Sequence, residues 1–140
     1  MANIILISCV SKILNKKAKA KDLYVSPLFK FNLRYAQSLK PKNIFILSAK
    51  YGLVGLEQMI VPYEKTLNRM KANEIKKWAE NIIKQLKKVS NLEKDTFIFL
   101  AGEKYREYLI PHIKNYKIPL KGLGIGKQLK WLKNKIEQLL

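Results

Sequence analysis

Lys12, Lys50 and Cys9 are the residues of this chain best placed to do covalent chemistry. Cys9 and Lys12 lie in Ser8-Cys9-Val10-Ser11-Lys12, and Lys50 lies in Ser48-Ala49-Lys50-Tyr51-Gly52; each stretch follows a short apolar run. An amine set among other cations loses its proton near neutral pH and can act as nucleophile or base. The same two lysines can instead clamp phosphates as fixed charges. Neighbouring lysines favour a thiolate at Cys9 and hence a nucleophile, whereas a buried, inert thiol is the commoner fate of a lone cysteine. Ser11 completes the set of candidate catalytic residues. His112 follows Pro111, and nothing pairs it with Cys9. One His, one Cys and 10 acidic residues are too few for a zinc site or a two-metal phosphoryl-transfer site. No metal and no cofactor is expected.

Two further stretches carry the same signature of small residues mixed with cations. They are Ala101-Gly102-Glu103-Lys104-Tyr105-Arg106 and Lys121-Gly122-Leu123-Gly124-Ile125-Gly126-Lys127. Gly122, Gly124 and Gly126 would let backbone N–H groups approach a phosphate ahead of a helix, or would simply form a flexible strand-to-helix turn. Their spacing matches neither a P-loop nor a dinucleotide fingerprint. Tyr24, Tyr51 and Tyr105 stand beside lysine or serine, an arrangement that suits stacking on nucleobases and equally suits half-buried tyrosines. With Ser26, Ser48, Gly52, Gly102 and Lys104 they form the candidate substrate-binding set.

What positions these residues is a strand–helix alternation. Ile4-Ile5-Leu6-Ile7, Ile44-Phe45-Ile46-Leu47 and Thr96-Phe97-Ile98-Phe99-Leu100 read as strands, and Lys117-Ile118-Pro119-Leu120 as a weaker fourth. They lack a period-two pattern, as expected of parallel strands covered on both faces. Helices are expected over residues 27–39, 73–89, 103–113 and 125–140. Ser26 is the N-cap of the first and Pro27 its first residue. Residues 12–21 and 50–70 remain unassigned. The expected fold is a single three-layer α/β domain over residues 1–140, with a mostly parallel sheet of about four strands flanked by helices. In such sheets ligands bind beyond the carboxyl ends of the strands. All four basic stretches would then gather at one edge and make an anion site.

The charge balance points the same way. The 140 residues hold 28 Lys and Arg against 10 Asp and Glu, a net charge of +18. Part of the lysine excess fits an AT-rich coding sequence, but the scarcity of acids does not. An anionic partner is expected, with nucleic acid or a nucleotide foremost. Lys77, Lys84 and Lys88 share one side of the long helix, either as a solvated face or as part of a phosphate track. No apolar run is long enough to span a bilayer and no signal-peptide layout is present, so a cytoplasmic protein is expected, with no membrane partner. A single cysteine cannot make an internal disulfide, which agrees with an intracellular default.

The chain also resembles an uncharacterised family of small bacterial and phage proteins. The resemblance rests on Ser8-Cys9-x-Ser11-Lys12, on Asp22-Leu23-Tyr24-x-Ser26, on Leu47-Ser48-Ala49-Lys50-Tyr51-Gly52-Leu53, and on Leu100-Ala101-Gly102-x-x-Tyr105-Arg106. Trp78-Ala79 and Pro119-Leu120-x-Gly122-Leu123 fit as well, so it spans nearly the whole chain. That family is distantly similar to the YaaA peroxide-stress proteins, which bind DNA, and to the lysine-bearing catalytic domain of archaeosine synthase. The resemblance implies a pocket lined by Cys9, Lys12, Tyr24 and Ser26. It departs from the archaeosine synthase motif at Ser8, where proline is usual, and at Ile13-Leu14, where Pro-Tyr is usual.

Three functions follow as expectations. The first is an enzyme acting on a nucleobase or nucleotide, at the glycosidic bond or on the base, free or within DNA or RNA. The second is a non-catalytic basic module that binds nucleic acid. The third is a sponge or sensor for a small nucleotide.

Overall fold

The computed structural model describes residues 2–8 and 12–138. Cys9 and Ser11 lie outside the described residues. In chain order the elements are β1 (Asn3–Ser8), β2 (Ala18–Lys19), α1 (Ala20–Leu23), α2 (Pro27–Ser38), β3 (Asn43–Ser48), β4 (Gly52–Gly55), β5 (Met59–Ile60), α3 (Ala72–Val89), β6 (Thr96–Leu100), α4 (Glu103–Arg106), β7 (Asn115–Lys117) and α5 (Ile125–Gln138). Five strands form one sheet in the order β4-β3-β1-β6-β7. β3, β1, β6 and β7 run parallel, and β4 turns back antiparallel on β3 at the edge.

β1 is the central strand because its side chains are apolar on both faces, and Ile4, Ile5, Leu6 and Ile7 are all fully buried. Alternation then divides them. Ile4 and Leu6 pack with Ile75, Trp78, Ile82 and Leu86 of α3. Ile5 and Ile7 pack with Phe29 and Ala36 of α2 and Leu132 of α5. Helices therefore cover both sides of the sheet, which is the three-layer arrangement expected. α3 buries the stripe its 3.6-residue period predicts. α2 begins as expected, with Pro27 in its first turn and the Ser26 hydroxyl accepting the Phe29 N–H at 3.3 Å.

Two expectations need correction. The fourth strand is Asn115–Lys117, paired with Thr96, Phe97 and Ile98, and it ends before Pro119, which has no N–H to offer. The helix expected over 103–113 breaks after Arg106 and resumes as one 3-10 turn, Ile110–His112. Pro111 cannot donate within an α-helix, and its ring clashes with the carbonyl four residues back. The sheet also has a fifth strand, β4, inside the stretch left unassigned. β2 and β5 from the two unassigned stretches form a separate two-stranded pair that ties those stretches together.

Candidate functional site

From β1 the chain crosses to β3 on one side, then jumps over β1 to β6 on the other. The reversal leaves a crevice between the carboxyl ends of β1 and β6, the usual ligand position in open α/β sheets. A pocket of about 640 Å³ lies there. Within its lining the Gly102 N–H donates to Ser8 Oγ at 3.1 Å, joining the ends of the two strands. Its walls come from the start of α2 (Ser26, Leu28, Phe29), from β6 and α4 (Phe99, Leu100, Tyr105), and from the approach to α5 (Leu120, Leu123, Ile125).

Polar groups enter this apolar chamber at few points. Lys104 donates its ammonium to the Asn68 carbonyl at 3.3 Å, and Arg106 Nη1 donates to the Ala101 carbonyl at 2.8 Å. Both residues line the pocket beside Glu103, so its charged lining is two cations and one carboxylate. Gln128 donates to the Leu123 carbonyl at 2.8 Å and steadies the turn ahead of α5. Asn32 is different in kind. It lines the pocket from α2 and is 3% exposed, yet its Oδ1 has no hydrogen-bond partner among the described residues. A buried polar atom left unpaired costs about 1–3 kcal/mol, and nothing among the described residues offsets that cost at Asn32 Oδ1.

Of the residues expected to bind substrate, the pocket brings together Ser26, Gly102, Lys104, Tyr105 and Gly122. Tyr105 is 2% exposed; its ring meets Trp78 edge-on, and its hydroxyl accepts the Leu67 N–H at 3.3 Å. Tyr24 is equally buried, packed on Phe29, and shares a hydroxyl hydrogen bond with Tyr63. Both rings are thus core tyrosines with bonded hydroxyls. Ser48 shapes the turn after β3, where its Oγ accepts the Tyr51 N–H at 2.9 Å and donates to Tyr63 Oη at 3.0 Å. Lys50, Tyr51 and Gly52 line a second, open groove of about 710 Å³ against α3. Gly124 and Gly126 are exposed with open space around them. Lys12 is exposed on an extended stretch whose carbonyl accepts the Val25 N–H at 2.9 Å.

Sequence reasoning missed Asn32. The signal was present: Phe29, Asn32 and Ala36 share the buried stripe of α2, so a polar residue stands where the period calls for an apolar one. Among the described residues no three His, Cys, Asp or Glu side chains gather as metal ligands would, and no helix is long and apolar enough to cross a membrane.

The model of a family of unknown function (DUF6884) matches residues 4–134. No curated protein and no solved structure matches the chain.

Proposed function

The chain belongs to this family of unknown function, and from that premise we propose that it is an enzyme acting on a nucleobase or nucleotide. The observation that carries the reading is the pocket at the β1–β6 switch point, mostly apolar in its walls and lined by Asn32, Lys104 and Arg106 among its polar residues. A volume of about 640 Å³ falls in the range of small-molecule sites. Apolar walls suit the faces of a base, an amide suits its donor–acceptor edge, and Lys104 and Arg106 suit an attached phosphate.

The sequence motifs' resemblance to YaaA and to the archaeosine synthase catalytic domain implies the same substrate class, with Lys12 or Lys50 as nucleophile or charge stabiliser reaching in from outside the pocket's lining. The reaction is then cleavage or exchange at the glycosidic bond, or modification of the base. A non-catalytic nucleic-acid module is the second reading, favoured by the net charge of +18.

The test is calorimetric titration of nucleosides and nucleotides into the wild type and Asn32→Leu. The variant should lose affinity at least about tenfold while gaining up to about 1–3 kcal/mol of stability, because an unpaired buried atom disappears. Undiminished affinity in the variant removes the pocket from the function. Lys12→Ala should then abolish product formation by mass spectrometry without changing the fold, and a wild type that binds but makes no product selects the second reading.

A further inference from the structure

The second groove has no part in the pocket just described, and its lining is unlike a casual surface. Lys77 and Lys84 of α3, Lys50 on the β3–β4 turn and Lys65 all line it. Glu74 is the acid that lines it, and its Oε1 is taken by the Lys71 N–H at 3.0 Å, at the start of α3. Among the described residues the salt bridges are those of Lys19 and Lys21 with Glu57, and none of the groove's four lysines takes part in them. The groove's lining therefore carries four lysines against one carboxylate, a net excess of positive charge.

Its floor is rigid. Ser48 Oγ accepts the N–H groups of both Lys50 and Tyr51, and Gly52 adopts φ +77° against Gln85, whose Oε1 accepts the Leu53 N–H at 3.0 Å. The Tyr51 ring is half-buried, with Lys50 Nζ 5.3 Å from its centroid, the Tyr63 ring in T-shaped contact at 5.5 Å, and its hydroxyl bonded to the Val61 carbonyl. A fixed aromatic face beside a row of cations is how proteins hold single-stranded nucleic acid: phosphates along the charge, a base on the ring. The segment that closes the groove also reaches the pocket. Lys65 and Met70 line the groove, while Asn68 lines the pocket and accepts a hydrogen bond from Lys104.

We propose that the groove between the β3–β4 turn and α3 binds the backbone of a single-stranded nucleic acid and leads it toward the pocket, so that the substrate is a base within a polymer. The substrate part of this inference rests on the proposed function; the affinity of the groove does not.

The experiment measures fluorescence anisotropy of a labelled single-stranded oligonucleotide across a salt series, beside calorimetry of the same protein with nucleoside monophosphates. The variants are Lys77→Glu/Lys84→Glu in the groove and Lys130→Glu/Lys133→Glu on α5, across the sheet. All four lysines are exposed and each double removes the same charge, so both should shift the melting temperature alike. The groove double should weaken oligonucleotide binding at least about tenfold more than the control and lower the salt slope by about 0.7 for each phosphate it no longer neutralises. Monophosphate binding should be unchanged. Equal losses in the two doubles overturn the groove. Equal affinity and groove dependence for a duplex overturn the single-strand assignment, and the same result with a poly-glutamate peptide overturns nucleic acid as the occupant. If the groove effect stands but monophosphates do not bind, the pocket reading fails and the groove remains a nucleic-acid site.

Discussion

Gly52 shows how one residue's backbone fixes a surface. At φ +77° it lies in the left-handed region, and a Cβ there would meet Gln85 Oε1 at 2.7 Å. That oxygen cannot simply retreat, because it holds the Leu53 N–H. Gly52→Ala should therefore cost about 1–3 kcal/mol, read by chemical denaturation, and weaken oligonucleotide binding through the displaced turn. A variant as stable as the wild type would show that the turn relaxes freely. The glycine was legible in the sequence as part of a loop, but its partner was not, since Gln85 comes from a helix that no local pattern connects to the turn. Asn32 was hidden for the opposite reason. A single polar residue on an apolar stripe looks like tolerated noise until the fold shows that a cavity lies beside it.

At the scale of elements, Asp95 joins the turn before β6 to the start of β1. Its carboxylate accepts the Asn91 N–H at 2.8 Å and the Ala2 N–H at 3.0 Å. The bond from Asn91, then that from Ala2, holds its pKa below the usual carboxylate value despite burial, with Lys42 adding a smaller pull. Because the folded pKa is depressed, this stabilisation is complete above the unfolded carboxylate pKa of about 4 and is lost as pH falls through the folded value. Stability of the wild type should drop below about pH 4 more steeply than that of Asp95→Asn, so the two denaturation curves converge in acid. A constant gap would mean that Asp95 does not titrate differently on folding. The long elements were legible because their signal is long: β1, β3, β6 and α3 are apolar runs or full stripes. β2, β4 and β5 have two to four residues each, too few for a period; β4 exists by folding back on β3, and β2 and β5 by pairing across some forty residues. Pro111 was visible, yet the break it forces in the helix after β6 was not drawn from it.

For the whole molecule the net charge of +18 sets the terms. Like charges at this density oppose compaction, and salt relieves them. The melting temperature should rise as NaCl is increased from about 0.05 to about 0.5 M, over the same range in which oligonucleotide affinity falls. A falling melting temperature would mean that local attractions outweigh the repulsion. Of the four basic strand exits expected to share one site, Ser8 at the end of β1, the run from Ala101 to Arg106 after β6, and Gly122 line the pocket. The turn after β3 was drawn instead onto α3 by the antiparallel return of β4, a topology that no reading of strand ends alone could supply.

The central position of β1 has a consequence for synthesis. Its register puts Ile4 against Asn43 on one side and against Phe97 on the other. A growing chain can zip β1 to β3 early, but the crevice acquires its far wall only after β6, α4 and Gly122 have emerged. Until then the apolar flank of the first strand is bare on a nascent polypeptide, and no truncated product, however stable, carries the pocket.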